Sequence, residues 1–210
     1  QLSLLNQADL VVSMHPDFET GLSKALSSID SNKQFLVNGQ VSNHHSWLDI
    51  SLMQNFAKLL ADKLNKIDKN NTAIYQNNLG KVDQKLEQLK HAINQQLSKV
   101  KTAPIATFSN TFEYFIKSNH LQKSTVVTRS HGDRLSIQKI LKAKQSMQIN
   151  QTKCLLSTTE IPAKRIAVLT EDLDINTASI DIMGYQLGKS TTHYYDLMQN
   201  ISNKVKQCLQ

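Results

Sequence analysis

The feature that most constrains this 210-residue chain is an alternation of short apolar segments with helix-patterned segments after Pro104. Each of four apolar segments is followed by a helical pattern, which gives the order βαβαβαβα. The predicted strands are Ile105–Phe108, Thr125–Thr128, Cys154–Leu156 and Ala178–Ile182. Strands separated by helices form a parallel sheet that is covered on both faces. The pattern therefore predicts an α/β lobe, and ligands of such sheets bind beyond the carboxyl ends of the strands.

A single apolar stripe precedes this lobe. Between Leu79 and Val100 the apolar residues recur at alternating intervals of three and four, which predicts one long helix with a polar opposite face. Earlier in the chain, Leu10–Val12 and Phe35–Val37 predict two short strands, and the spacing over Phe18–Ile29 predicts a helix between them. The first part of the chain is therefore also of the α/β type.

The charge pattern argues against a nucleic-acid partner. The net charge is +7, but the lysines are dispersed along the chain without a run of five basic residues. Ribonucleoprotein motifs and zinc-finger spacings are missing from the sequence as well. The sequence also carries no nucleophile elbow, glycine-rich phosphate loop or Ser-His-Asp spacing, so we expect a binding protein and not an enzyme.

Four motifs occur in an order and spacing that resemble one protein family. Ala8–Val12 reads ADLVV, His45–Leu48 reads HSWL, Phe108–Phe115 reads FSNTFEYF, and Tyr194–Met198 reads YYDLM. They are similar to the ADLVV strand, the H-x-W-L motif, the F-H-D-A-F-G-Y-F motif and the YYDLM segment of the solute-binding proteins of ABC metal transporters. The resemblance is to the zinc branch of that family and covers nearly the whole chain.

The resemblance implies a fold with two Rossmann-like α/β lobes bridged by a long α-helix. It divides this chain into a partial N-terminal lobe over 1–70, a connecting helix over 71–103 and a C-terminal lobe over 104–210. The chain begins just before the ADLVV strand, so the first strands of the N-terminal lobe are expected to be missing and that lobe incomplete. An exposed sheet edge would follow, and the long helix, strand swapping or a homodimer through this lobe could cover it.

The resemblance also implies a zinc site built from histidines and a carboxylate. The second family ligand maps to His45, the third to Ser109 and the fourth to Asp181, while the first lies upstream of this chain. A neutral serine hydroxyl is a poor zinc ligand, so the site looks incomplete. His15 and His131 are further candidates near the expected cleft, although surface histidines are the plainer interpretation. Two alternatives stay open: His45 as an exposed loop histidine and Asp181 as a turn cap.

The zinc branch pairs a cysteine in the third strand of the second lobe with one near the C-terminus. Cys154 and Cys208 occupy those positions, so the resemblance implies a disulfide between them, with two buried thiols as the alternative. An oxidising periplasm would permit this bond.

The function implied is a periplasmic solute-binding protein that delivers zinc to an ABC-type permease in the membrane. The alternative is a degenerate or truncated relative that no longer binds zinc and acts as a scaffold or interaction domain.

Overall fold

The computed structural model describes residues 2–37, 43–129 and 135–210. The chain divides into two compact units, unit 1 (Gln1–Trp47 and Ser51–Lys85) and unit 2 (Leu48–Ile50 and Leu86–Gln210). The helices are α1 (Leu2–Gln7), α2 (Ser23–Leu26), α3 (Ile50–Ile67), α4 (Thr72–Leu97), α5 (Glu113–Ser118), α6 (Ile137–Ile149), α7 (Ala163–Thr170) and α8 (His193–Leu209). The strands are β1 (Val11–Ser13), β2 (Gln34–Leu36), β3 (Ile105–Thr107), β4 (Lys123–Val126), β5 (Cys154–Thr158) and β6 (Asn176–Ile180).

Unit 2 contains a parallel sheet of four strands in the order β4-β3-β5-β6. Its two inner strands, β3 and β5, are buried at every position. Both read as unbroken apolar or small-residue runs because they are covered on both faces. The α/β fold class with a four-stranded parallel sheet flanked by helices, predicted from the strand and helix order, is confirmed.

The two faces of this sheet carry different helices. On one face, Leu155 joins a buried cluster that includes Met147 of α6 and Leu169 of α7. Side chains alternate between faces along a strand, so the neighbouring Cys154 points the other way. There it forms a disulfide with Cys208 of α8, with the two Cα atoms 5.5 Å apart. The predicted disulfide is therefore present and joins a central strand to the last helix.

Unit 1 is built around a smaller sheet. Its strands β1 and β2 pair in parallel, with Val11 opposite Gln34. Val11 packs with Leu26 and Ile29 in a small buried cluster, against which Leu5 of α1 also packs. Helix α1 is an element that the sequence pattern did not predict. His15 follows the carboxyl end of β1 after one intervening residue.

The helix predicted over Phe18–Ile29 is much shorter in the structure. Only α2, four residues long, is regular, and turns surround it. The serine hydroxyls of this segment donate to backbone carbonyls three residues earlier, Ser23 to Thr20 and Ser27 to Lys24. Such local bonds offer the backbone an alternative to the helical ladder, so an apolar spacing of three and four was not enough to form a helix.

The long helix predicted within 71–103 is α4, 26 residues long, and a 3-10 turn at Ser98–Val100 follows it. Its buried residues, Leu86, Leu89, Ile93 and Leu97, all belong to unit 2. Across the described ranges, each helix is too short or too polar to cross a lipid bilayer.

Candidate metal centre

His45, the ligand predicted from the H-x-W-L motif, lies at the start of a 3-10 turn over Ser46–Leu48. Leu48, the last residue of this turn, is completely buried. The side-chain oxygen of Asn43 accepts a hydrogen bond from the backbone N–H of His45 at 3.1 Å. The same oxygen lies 2.8 Å from Nδ1 of the His45 ring.

These two contacts decide the tautomer of His45. A backbone N–H can only donate, so the Asn43 atom that it meets must be the amide oxygen and not the nitrogen. An amide oxygen can only accept, so Nδ1 of His45 must carry a proton. In the neutral ring the lone pair is then on Nε2. Histidines that bind metals show this arrangement, since an outer partner usually fixes the ring through its other nitrogen.

Two aromatic rings border His45. The Trp47 ring lies 5.1 Å from the His45 ring, and the Phe18 ring meets the His45 ring edge-on at 5.6 Å, both measured between centroids. Phe18 and Trp47 also contact one another at 5.6 Å. The apolar contacts restrict the imidazole to few orientations, so the ring is held by packing as well as by the Asn43 hydrogen bond.

A second group of possible metal ligands lies in the same unit. His15, Asp17 and His44 each offer a ligand atom, and these three atoms lie within 4.8 Å of one another. The rings of His15 and His44 are stacked, with centroids 4.6 Å apart and planes inclined by 13°. Among the described residues, His45 does not belong to this group.

The loop after β1 brings Asp17 beside His15. The carbonyl of His15 accepts from the backbone N–H groups of Phe18 and Glu19, which folds His15–Glu19 into a tight turn. The backbone N–H of Asp17 donates to Nδ1 of His15 at 3.2 Å, and the Asp17 carboxylate lies 3.6 Å from the same nitrogen.

Electrostatics favour a neutral His44. Burial lowers the pKa of this imidazole below its usual value, the neighbouring His15 ring lowers it further, and the Asp17 carboxylate opposes both effects. A neutral imidazole is the form that binds a metal ion.

Asp181 and Ser109, the other two positions that the family resemblance pointed to, lie in unit 2. The Asp181 carboxylate accepts from the backbone N–H groups of Met183, Gly184 and Gln186 at 2.9 to 3.1 Å. These bonds take up most of the acceptor capacity of the carboxylate and close the turn after β6.

Ser109 is buried, and its hydroxyl oxygen lies 2.9 Å from that of Thr111. The structure therefore gives this serine a hydrogen-bonding role within unit 2.

Of the two further histidine candidates, only His15 lies among the described residues. His131 falls outside the described residues. His15 is part of the three-residue group, together with Asp17 and His44, which sequence reasoning did not select as ligands. Asn43 was also missed. A His-Pro-Asp triplet shortly after a strand and an Asn two residues before a motif histidine were the signals that could have identified them.

The family model for the periplasmic component A of zinc-uptake complexes, ZnuA, matches residues 1–208. The chain belongs to this family. The resemblance inferred from the four motifs is thereby confirmed, and so is the expectation that the chain is not an enzyme, because the family is one of solute-binding proteins.

Curated members of the family are distant in sequence. The high-affinity zinc uptake system protein ZnuA of Brucella abortus is 23% identical over 165 residues, which are 79% of this chain and 49% of that protein. ZnuA of Haemophilus influenzae is 21% identical over 171 residues, or 81% of this chain and 51% of that protein. The chain thus spans about half the length of these relatives.

Solved structures of related fold agree with the α/β architecture. The SBP FpvC of Pseudomonas aeruginosa in complex with Mn²⁺ aligns with a TM-score of 0.81 at 20% identity, covering 96% of this chain and 79% of that one. A Zn(II)-bound AdcAII variant of Streptococcus pneumoniae aligns with a TM-score of 0.79 at 17% identity, covering 100% of this chain and 83% of that one. At these identities the likeness establishes the family fold.

Proposed function

We propose that this chain binds zinc outside the cytoplasm and delivers the ion to an ABC-type permease. The observation that carries the proposal is the family match over residues 1–208, in a chain whose motif histidine, His45, has its lone pair on Nε2. Zinc accepts neutral imidazole nitrogen at about 2.0 Å and usually takes four ligands in a tetrahedron. His45 is the ligand that we assign to the transported ion.

Asp181 is the second ligand that we assign. Its three backbone hydrogen bonds hold the carboxylate fixed in direction, which suits a ligand that need not reorganise when the ion arrives. The same bonds reduce its capacity for a further partner. We therefore expect a smaller contribution to zinc affinity from Asp181 than from His45.

The disulfide supports a location outside the cytoplasm. Cys154 and Cys208 are bonded, and disulfides persist in oxidising compartments such as the bacterial periplasm. The family is likewise described as periplasmic. A periplasmic carrier needs a membrane partner to move its ion inward, so the permease is the partner we propose. A homodimer through the N-terminal lobe stays a prediction, and light scattering of the purified chain is its test.

Calorimetric titration of the metal-stripped chain with zinc chloride tests the proposal. We expect the His45→Ala variant to lose the tightest binding. His91 is a matched control, because its side chain is 80% exposed on α4, with its Nε2 3.4 Å from the Glu87 carboxylate, so His91→Ala should bind as the unmodified chain does. Equal zinc binding by all three proteins would remove His45 from the site, and no binding by any of them would favour the scaffold alternative.

Delivery needs a separate measurement. With the cognate permease in lipid nanodiscs, the zinc-loaded chain should stimulate ATP hydrolysis more than the metal-stripped chain does. Equal rates with loaded, stripped and absent chain would contradict the delivery role, even if zinc binding itself were established.

A further inference from the structure

His15, Asp17 and His44 form a compact group in unit 1 that the family motifs do not include. Two imidazoles and one carboxylate present ligand atoms within 4.8 Å of one another. We propose that this group is a second metal site, distinct from His45, and that it binds a divalent transition-metal ion such as zinc. The proposal does not depend on the permease or on the role of His45.

The spacing of the ligand atoms is close to what a zinc ion requires. With zinc–nitrogen and zinc–oxygen bonds of about 2.1 Å in a tetrahedron, two ligand atoms lie about 3.4 Å apart. The Asp17 carboxylate oxygen and Nδ1 of His15 are 3.6 Å apart. The other ligand atoms lie within 4.8 Å, so the group would have to close by up to about 1.4 Å and the two stacked rings would have to turn toward the ion.

Both imidazoles are held in place before an ion arrives. The backbone of His15 is fixed by the turn that its carbonyl forms with Phe18 and Glu19, and its ring is stacked on that of His44. The Phe18 ring contacts His44 at 6.0 Å between centroids. Ligands that are already ordered lose little conformational entropy on binding, which favours affinity.

The tautomer and exposure of the group also suit a metal site. Nδ1 of His15 accepts the backbone N–H of Asp17, so this nitrogen is unprotonated, and a cation that bound its lone pair would displace that N–H. The His15 side chain is 19% exposed, whereas that of Asp17 is 82% exposed. An ion can therefore enter from solvent past the carboxylate and reach the more buried imidazoles.

The set of donors selects the class of ion. Two imidazoles with one carboxylate and a water molecule complete a four-coordinate zinc shell. Calcium and magnesium require mainly oxygen ligands, and one carboxylate supplies too few of them. Imidazole-rich sites also accept other late first-row ions, so nickel and copper should compete with zinc, while calcium should not.

Zinc stoichiometry of the full chain, measured by calorimetry on metal-stripped protein, tests this site. We expect two equivalents for the unmodified chain and one for His45→Ala. The double variant His15→Gln, His44→Gln should also bind one equivalent of zinc, at His45. The triple variant that adds His45→Ala should bind none. Asp17→Asn should weaken the second equivalent by more than about 10-fold, a loss typical of damage to a metal shell.

The controls separate a lost ligand from a damaged fold. Asp172→Asn removes one negative charge from a side chain that is 89% exposed in unit 2, and we expect both equivalents to remain. Should the doubly substituted chain fail to fold by circular dichroism, Asp17→Asn decides the question, because its exposed side chain is not part of the core. The proposal is overturned if Asp17→Asn and the folded double variant bind zinc as the unmodified chain does. It is also overturned if the chain binds a single equivalent that His45→Ala abolishes.

Discussion

The side-chain oxygen of Asn43 accepts hydrogen bonds from both the backbone N–H and the ring Nδ1 of His45. This pair of bonds fixes the imidazole with its lone pair on Nε2. Asn43 is therefore a positioning residue for the ligand that we assign to zinc. It acts through the orientation and proton of His45 and need not touch the ion.

Replacing Asn43 by alanine should weaken zinc binding by about 10- to 100-fold, as loss of an outer hydrogen-bond partner does at other metal sites. The Asn43→Asp variant should bind nearly as well as the unmodified chain, because a carboxylate can accept both hydrogen bonds. Calorimetry gives the affinities, and the nitrogen shifts of the His45 ring report its tautomer. Retention of both the affinity and the Nδ1–H tautomer in Asn43→Ala would contradict this role.

Asp181 should contribute to stability as well as to zinc binding. In Asp181→Ala three backbone N–H groups lose their acceptor, and we expect the free energy of unfolding to fall by about 1–3 kcal/mol in the absence of metal. Thermal denaturation of stripped protein measures this loss. Asp181→Asn keeps one acceptor oxygen and should be less destabilised, yet it should bind zinc more weakly because the negative charge is gone. Unchanged zinc affinity in Asp181→Asn would restrict Asp181 to capping its turn.

The disulfide between Cys154 and Cys208 should be a large part of the stability of the chain. It closes a loop with a sequence separation of 54, for which the chain-entropy relation gives about 4 kcal/mol at 25 °C. The double variant Cys154→Ala, Cys208→Ala should therefore unfold at a lower urea concentration than the oxidised chain. The reduced unmodified chain is the matched control and should resemble the double variant. A midpoint that does not change on reduction would contradict the expectation.

Asp68, at the junction of α3 and α4, should give the stability a small pH dependence. Hydrogen bonds from the side chains of Asn71 and Tyr75 hold the pKa of this carboxyl below its usual value. A lowered folded-state pKa means that the stabilisation is complete above the unfolded pKa, about 3.9, and is lost as the pH falls through the folded pKa. The melting temperatures of the unmodified chain and Asp68→Asn should thus differ at pH 7 and converge near pH 2. A difference that stays constant with pH would show that protonation of Asp68 is not involved.

The sequence indicated the α/β architecture because the inner strands of a parallel sheet are buried on both faces and therefore consist of apolar residues. Strands such as β5 are covered on both faces, so their residues form short apolar runs between helical patterns. The helix predicted from apolar spacing over Phe18–Ile29 was wrong, because serine hydroxyls there bond to backbone carbonyls and only α2 is helical. Apolar spacing is read from side chains alone, whereas helix formation also depends on where the backbone hydrogen bonds go.

By itself the sequence indicated the alternation of strands and helices along the chain, the long helix and the motif histidine His45, since each depends on residues that are close along the chain. Only the tertiary structure decided that His44 stacks on His15 beside Asp17. These residues belong to segments that are distant in sequence, and no local pattern records which distant side chains will meet. A contact such as the stack of His44 on His15 follows from the path of the backbone in space, which residue spacing does not encode.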